Sequence, residues 1–121
     1  MSICLAAGAL LVPLGAGEIT LAWRHSVEKT LWEELWRESP DGLVLAEARV
    51  QGSGAGMDPP EGAKLADGFW RWRPGLPALR EVVMRRSGVT ADWRVCVGSS
   101  CRAMSELVPA EADPVVLKPC P

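Results

Sequence analysis

Thr30–Val50, TLWEELWRESPDGLVLAEARV, is the stretch whose reading decides the fold. Val27, Leu31 and Leu35 recur at helical spacing, and Ser26 is a suitable cap for such a helix. Trp32, Glu34 and Trp36, however, alternate with Leu31, Glu33 and Leu35, which is the period of a strand. The residues after Glu38 decide between the two. Ser39-Pro40-Asp41-Gly42 is a strong turn signal, and Leu43–Val50 beyond it is β-patterned. A tight turn between two extended runs makes a hairpin, so Thr30–Glu38 is predicted as a strand.

Upstream, Glu18–His25 alternates cleanly, with Ile19, Leu21 and Trp23 on one face and Glu18, Thr20 and Arg24 on the other. Gly15-Ala16-Gly17 offers a turn before it, so Ser2–Leu14 and Glu18–His25 are expected to pair as a hairpin. Ile3–Leu14 is apolar and resembles the core of an export signal, but no Lys or Arg precedes Arg24. The run is also too short to span a bilayer. A first strand is the preferred reading, with a targeting segment as its competitor.

Downstream, Gln51–Gly68 holds five glycines and a Pro-Pro pair and reads as one long loop, a class that often carries function. Phe69–Arg73, Leu79–Ser87, Ala91–Val97 and Cys101–Met104 come next as short strands. Trp70 and Trp72 share one face of theirs. Seven to eight short strands with frequent turns predict an all-β fold, a small antiparallel sandwich or partly open barrel. Residues 1–107 form its single β domain, and 108–121 form an irregular, Pro-rich tail.

At 121 residues the chain is long enough to bury one core without a metal or disulfides. Its net charge of −2 provides no basic field for nucleic acid or an anionic membrane. Aromatic usage is lopsided, with six Trp, one Phe and no Tyr. Cys96 and Cys101 flank a tight turn at Gly98-Ser99-Ser100, so a disulfide across the hairpin is expected there. Zinc is the weaker reading, because this spacing has no second pair or nearby His. Cys4 and Cys120 lie near the two termini, and their pairing is left open.

His25 is the only histidine and titrates near neutral pH. Glu28, Glu33 and Glu34 are close in sequence, and Asp58 and Glu61 sit in the glycine-rich stretch. A His with two carboxylates suits a divalent metal or general base catalysis. The plainer reading is a ring that bonds neighbouring backbone, since no nucleophile pattern accompanies it. Ser26 points away from His25 on an extended chain. Ser53-Gly54-Ala55-Gly56 lacks the ending of a phosphate loop, so its glycines serve turns or close backbone approach. No cofactor signature is present. Arg71, Arg73, Arg80, Arg85, Arg86 and Arg94 make the later chain basic, and cross-strand ion pairs are their expected use.

The blocks LAWRHSVEKTLWEELW, LVLAEARVQGSGAGMDPPEGAKLADGFWRW and LREVVMRRSGVTADWRVC resemble the family called domain of unknown function 1850, over roughly Ile3 to Met104. The most specific blocks are His25-Ser26-Val27-Glu28 and Gly52-Ser53-Gly54-Ala55-Gly56-Met57. The resemblance implies an all-β domain and no established activity. It also implies a bacterial, periplasmic or membrane-associated setting, because members are often encoded beside TRAP transporters of the TAXI type; a cytoplasmic setting is the alternative, because the sequence shows no clear signal peptide. The expected role is an accessory binding module. Its contact surface is His25, Ser26 and Glu28 with Gly52, Ser53, Gly54, Gly56, Asp58 and Glu61, flanked by Trp70 and Trp72. A His25-centred enzyme and a purely structural interaction domain are the alternatives.

Overall fold

A computed structural model describes residues 2–24, 30–52, 60–87 and 91–121. Eleven strands and one short 3₁₀ turn make up its elements, with no α-helix among the described residues. The first three strands are β1 (Ile3–Ala7), β2 (Leu10–Pro13) and β3 (Glu18–Arg24). After them come β4 (Leu31–Ser39), β5 (Gly42–Gln51), β6 (Lys64–Ala66) and β7 (Phe69–Trp72). The last four are β8 (Val82–Met84), β9 (Arg94–Val97), β10 (Ser100–Ala103) and β11 (Val115–Pro119). They form two antiparallel sheets, a small one ordered β2-β1-β11-β8 and a large one ordered β10-β9-β3-β4-β5-β7-β6. The fold is therefore an all-β sandwich whose sheets do not close into a barrel, with more strands than the expected seven or eight.

The stretch that decides the fold is a hairpin. Strands β4 and β5 pair from Ser39↔Gly42 to Trp32↔Val50, with an irregularity between Leu35 and Trp36. Gly42 sits at φ +124°, and a Cβ there would run into the backbone of Leu79, whose N–H and C=O both bond Leu43. Only glycine lets the chain turn this close to a neighbouring backbone.

Several expectations need correction. Ser2–Leu14 is two strands instead of one: Gly8, at φ +60°, turns β1 back on β2. This hairpin does not pair with Glu18–Arg24, because β3 belongs to the other sheet. Gln51–Gly68 is not all loop, since Lys64–Ala66 forms edge strand β6 against β7. The closing segment is not irregular throughout either. Val115–Pro119 is strand β11, seated between β1 and β8. Its alternating Val115 and Leu117 are buried, which supplies the reason a Pro-rich segment extends.

The core lies between the small sheet and the first part of the large one. Ile3 and Leu5 of β1, with Val115 and Leu117 of β11, meet Ile19, Leu21, Trp36, Leu43 and Leu45. Cys4 is bonded to Cys120 across 116 residues, and Cys96 to its cross-strand partner Cys101, with Cα atoms 5.0 and 4.0 Å apart.

Candidate functional site

The buried cluster that joins the two sheets includes Ile19, Leu21, Trp36, Leu43 and Leu45 of the large sheet but not Trp23, Trp32, Ala48 or Val50. Alternation along β3 places Ile19, Leu21 and Trp23 on the core-facing side; the register matches them with Trp36, Glu34 and Trp32 of β4. The next strands continue these rows. Trp32 faces Val50, Val50 faces Trp70, and Trp70 faces Leu65; Glu34 faces Ala48, which faces Trp72. One lateral row therefore carries Trp23, Trp32, Val50, Trp70 and Leu65, and the row beside it carries Leu21, Glu34, Ala48 and Trp72. The tryptophans are partly exposed, and Leu65 at the sheet edge is 57% exposed. Trp23 and Trp32 stack with ring centroids 6.2 Å apart, and Trp93 tilts onto Trp23 at 5.0 Å.

Glu34 is the one charge in these two rows. Its Oε1 accepts a hydrogen bond from Trp36 Nε1 at 3.3 Å. Burial pushes its carboxyl above the ordinary value, and the Trp36 bond opposes that shift. No cation pairs with it among the described residues. Beside it, Trp32 Nε1 is buried and meets no acceptor among the described residues. Unmet polar groups of this kind are uncommon inside proteins.

The opposite face of the same strands is built differently. Glu33 pairs with Arg49 at 3.5 Å, and Glu47 with Arg71 at 3.5 Å. Arg49 stands directly across from Arg71, so the two glutamates offset like charges that would otherwise repel. Glu33 and Glu34 thus lie on opposite faces and cannot serve one metal or catalytic centre. Among the described residues no three His, Cys, Asp or Glu side chains gather as metal ligands do.

Two hollows are also formed, the first of them bordered by Trp72 of the second row. One of about 870 Å³ is bordered by Glu61, Lys64, Arg71, Trp72 and Arg73. The other, about 300 Å³, adjoins a polar network around Arg86 and Asp92. Asp92 accepts from Arg86 Nε and Nη2 at 3.0 and 2.8 Å, and from the N–H groups of Trp93 and Ser105. Arg86 Nη1 also reaches the carbonyls of Pro109 and Ala112. Burial alone would raise the Asp92 carboxyl, but these donors outweigh it and hold it below its ordinary value. With its charge answered on all sides, this network ties strands together.

Of the residues singled out in the sequence, Trp70 and Trp72 fall on the core-facing side, and Glu61 borders the larger hollow with Trp72. Gly52 donates its N–H to Gly68 O at 2.7 Å, and a Cβ there would lie 2.8 Å from Leu65 Cδ1. His25, Ser26, Glu28, Ser53, Gly54, Gly56 and Asp58 lie outside the described residues. The residues flanking them meet at one end of the large sheet: Arg24 pairs with Leu31, whose N–H donates to Gln51 Oε1 at 2.8 Å. That is the end bearing the tryptophan row. Sequence reasoning missed Trp23, Trp32 and Glu34 as a unit with Trp72. Alternation along β4 was the available signal, but it does not say which strands lie alongside.

No helix of the described residues is long and apolar enough to cross a membrane. No curated protein and no solved structure matches the chain. Residues 19–104, which carry both tryptophan-bearing rows, match the profile of the family described as Domain of unknown function (DUF1850). The chain belongs to the domain of unknown function 1850 family.

Proposed function

We propose that this domain is a non-enzymatic binding module whose contact face is the tryptophan-bearing end of the large sheet. The observation that carries the reading is the lateral row of Trp23, Trp32 and Trp70, partly exposed and outside the buried cluster that joins the two sheets. Partly exposed tryptophans in one row present a rigid apolar surface, which is the composition of an interface centre. Arg24, Leu31 and Gln51, which flank His25 and the glycine-rich stretch in sequence, meet at this end of the sheet. The partner is a component of a TAXI-type TRAP transporter in a bacterial inner membrane, as the family resemblance implies.

The test is recovery of partners by the tagged protein from bacterial membranes, with Trp70→Ala, His25→Ala and Gly54→Val alongside. Recovery of a transporter component by the wild-type chain, and its loss in Trp70→Ala, is the expected result. Undiminished recovery in all three variants overturns the contact face. Recovery of no transporter component by wild type overturns the partner.

A further inference from the structure

Lys64, Arg71 and Arg73 all border the larger hollow. Strand pairing sets Lys64 directly across from Arg71, and Arg71 across from Arg49, so three like charges stand in one lateral row. Like charges side by side on a sheet repel unless carboxylates offset them. Glu33 does this for Arg49, and Glu47 for Arg71, helped at 3.9 Å by the exposed Asp67. Lys64, at the sheet edge, has no ion-pair partner among the described residues. Neither has Arg73, which follows directly on β7. Glu61 borders the same hollow and pairs with neither cation.

With Arg71 and Glu47 joined, Lys64 and Arg73 stand against Glu61, which leaves a positive excess at the hollow. Lys64 and Arg73 are exposed, and the side chain of Arg71 is 32% exposed, so all three can be reached from solvent. The volume of about 870 Å³ is that of a small-molecule site. Partly buried Trp72 and Pro74 give the hollow an apolar border beside the charged one. Arginine and lysine side chains only donate, so the polar part of a ligand here must accept hydrogen bonds. A small positive excess suits a monoanion better than a doubly charged phosphate.

We propose that this hollow binds a small organic acid carrying one carboxylate on an apolar body. Arg73 and Lys64 hold the carboxylate, and Trp72 and Pro74 receive the apolar part. A bound carboxylate also offsets the charge that Lys64 adds beside Arg71. Trp23, Trp32 and Trp70 do not border the hollow, so the inference goes beyond the partner reading and stands apart from it.

The experiment is a titration of the isotope-labelled protein with benzoate, followed by amide NMR at fixed ionic strength. Benzamide, which keeps the ring and replaces the carboxylate by a neutral amide, is titrated in parallel. The expected result is saturable shifts centred on Lys64, Trp72 and Arg73, with benzamide binding at least about fivefold more weakly. Arg73→Gln weakens benzoate about fivefold and leaves benzamide unchanged. Adding Lys64→Gln to it brings benzoate down to the level of benzamide. Arg102→Gln removes a cation from β10, at the opposite edge of the sheet, and leaves both ligands unchanged. The same spectra show that each variant is folded. Absence of saturable benzoate shifts, equal affinity for the two ligands, or undiminished benzoate affinity in the folded double variant overturns the proposal. So does a loss in Arg102→Gln as large as that in Arg73→Gln, which would mark a general attraction to positive surface.

Discussion

The two ends of the large sheet put the same strands to different uses. In the buried cluster shared with the small sheet, β3, β4 and β5 present Ile19, Leu21, Trp36 and Leu45, and the side chains interlock until water is excluded. Outside that cluster the same strands present Trp23, Trp32 and Val50, joined by Trp70 and Trp72; Val50 is buried, the tryptophans are partly exposed, and a carboxylate appears among them. Packing alone explains the first end: apolar volume is matched across two layers. Packing alone does not explain the second, since partly exposed tryptophans and a partly buried Glu34 carboxylate are poor choices for stability. The first end holds the fold, and the tryptophan-bearing end is the one proposed to meet a partner.

Breaking the first end is expected to cost most. Replacing both Cys4 and Cys120 by Ser frees a loop closed across 116 residues. On the chain-entropy account the loss is about 5 kcal/mol, against about 2 kcal/mol for Cys96 and Cys101. Urea denaturation of the two double variants measures the contrast, and equal losses would mean that the terminal bridge does not clamp the small sheet. Next, Leu21→Ala, at a fully buried position, loses about 3 kcal/mol by the same measurement. Asp92→Asn strips the main partner from Arg86, whose side chain is 6% exposed, and costs about 2–3 kcal/mol. Because Asp92 ionises below its ordinary value in the folded state, its contribution is complete above the unfolded value near 3.8. It fades as pH falls through the lower folded value, so the variant and wild type converge in acid.

The tryptophan-bearing end is expected to tolerate more. Trp70→Ala costs about 1 kcal/mol, a fraction of the usual core penalty, because that ring is only partly buried. A loss as large as that of Leu21→Ala would erase the distinction between the two ends. Glu34→Gln should change stability least and with the opposite sign, a gain of less than about 1 kcal/mol near neutral pH after allowing for solvent screening. The folded protein holds the Glu34 proton more tightly than the unfolded chain does. Wild type therefore recovers stability as pH drops through the raised folded value toward 4.5, and the variant's advantage disappears there. Thermal melts of both proteins across that range check the sign.

Alternation is a local property, so it could be read along Glu18–Arg24 and Leu31–Ser39 without knowing any neighbour. The turn at Ser39–Gly42 was legible for the same reason, because proline and glycine restrict the backbone wherever they occur. Sheet membership was not legible. Gly15-Ala16-Gly17 offers a hairpin turn, yet β2 and β3 lie in different layers: β2 pairs with β1 in the small sheet, and β3 pairs with β4 and β9 in the large one. The strand at Val115–Pro119 was hidden behind its prolines, which gave no hint that a mate waited at the opposite terminus. At the candidate site, Trp70 and Trp72 could be picked out by type and spacing, whereas their meeting with Trp32 and Glu34 depends on a register among strands far apart in sequence.

By itself, then, the sequence determined the extended conformation of its segments, which side chains share a strand face, and the family. Each comes from residue type and short-range order. The tertiary structure decided which strands became neighbours and which side chains entered the buried cluster. That choice depends on burying the most apolar surface across the whole chain, and it alone placed a carboxylate between tryptophans.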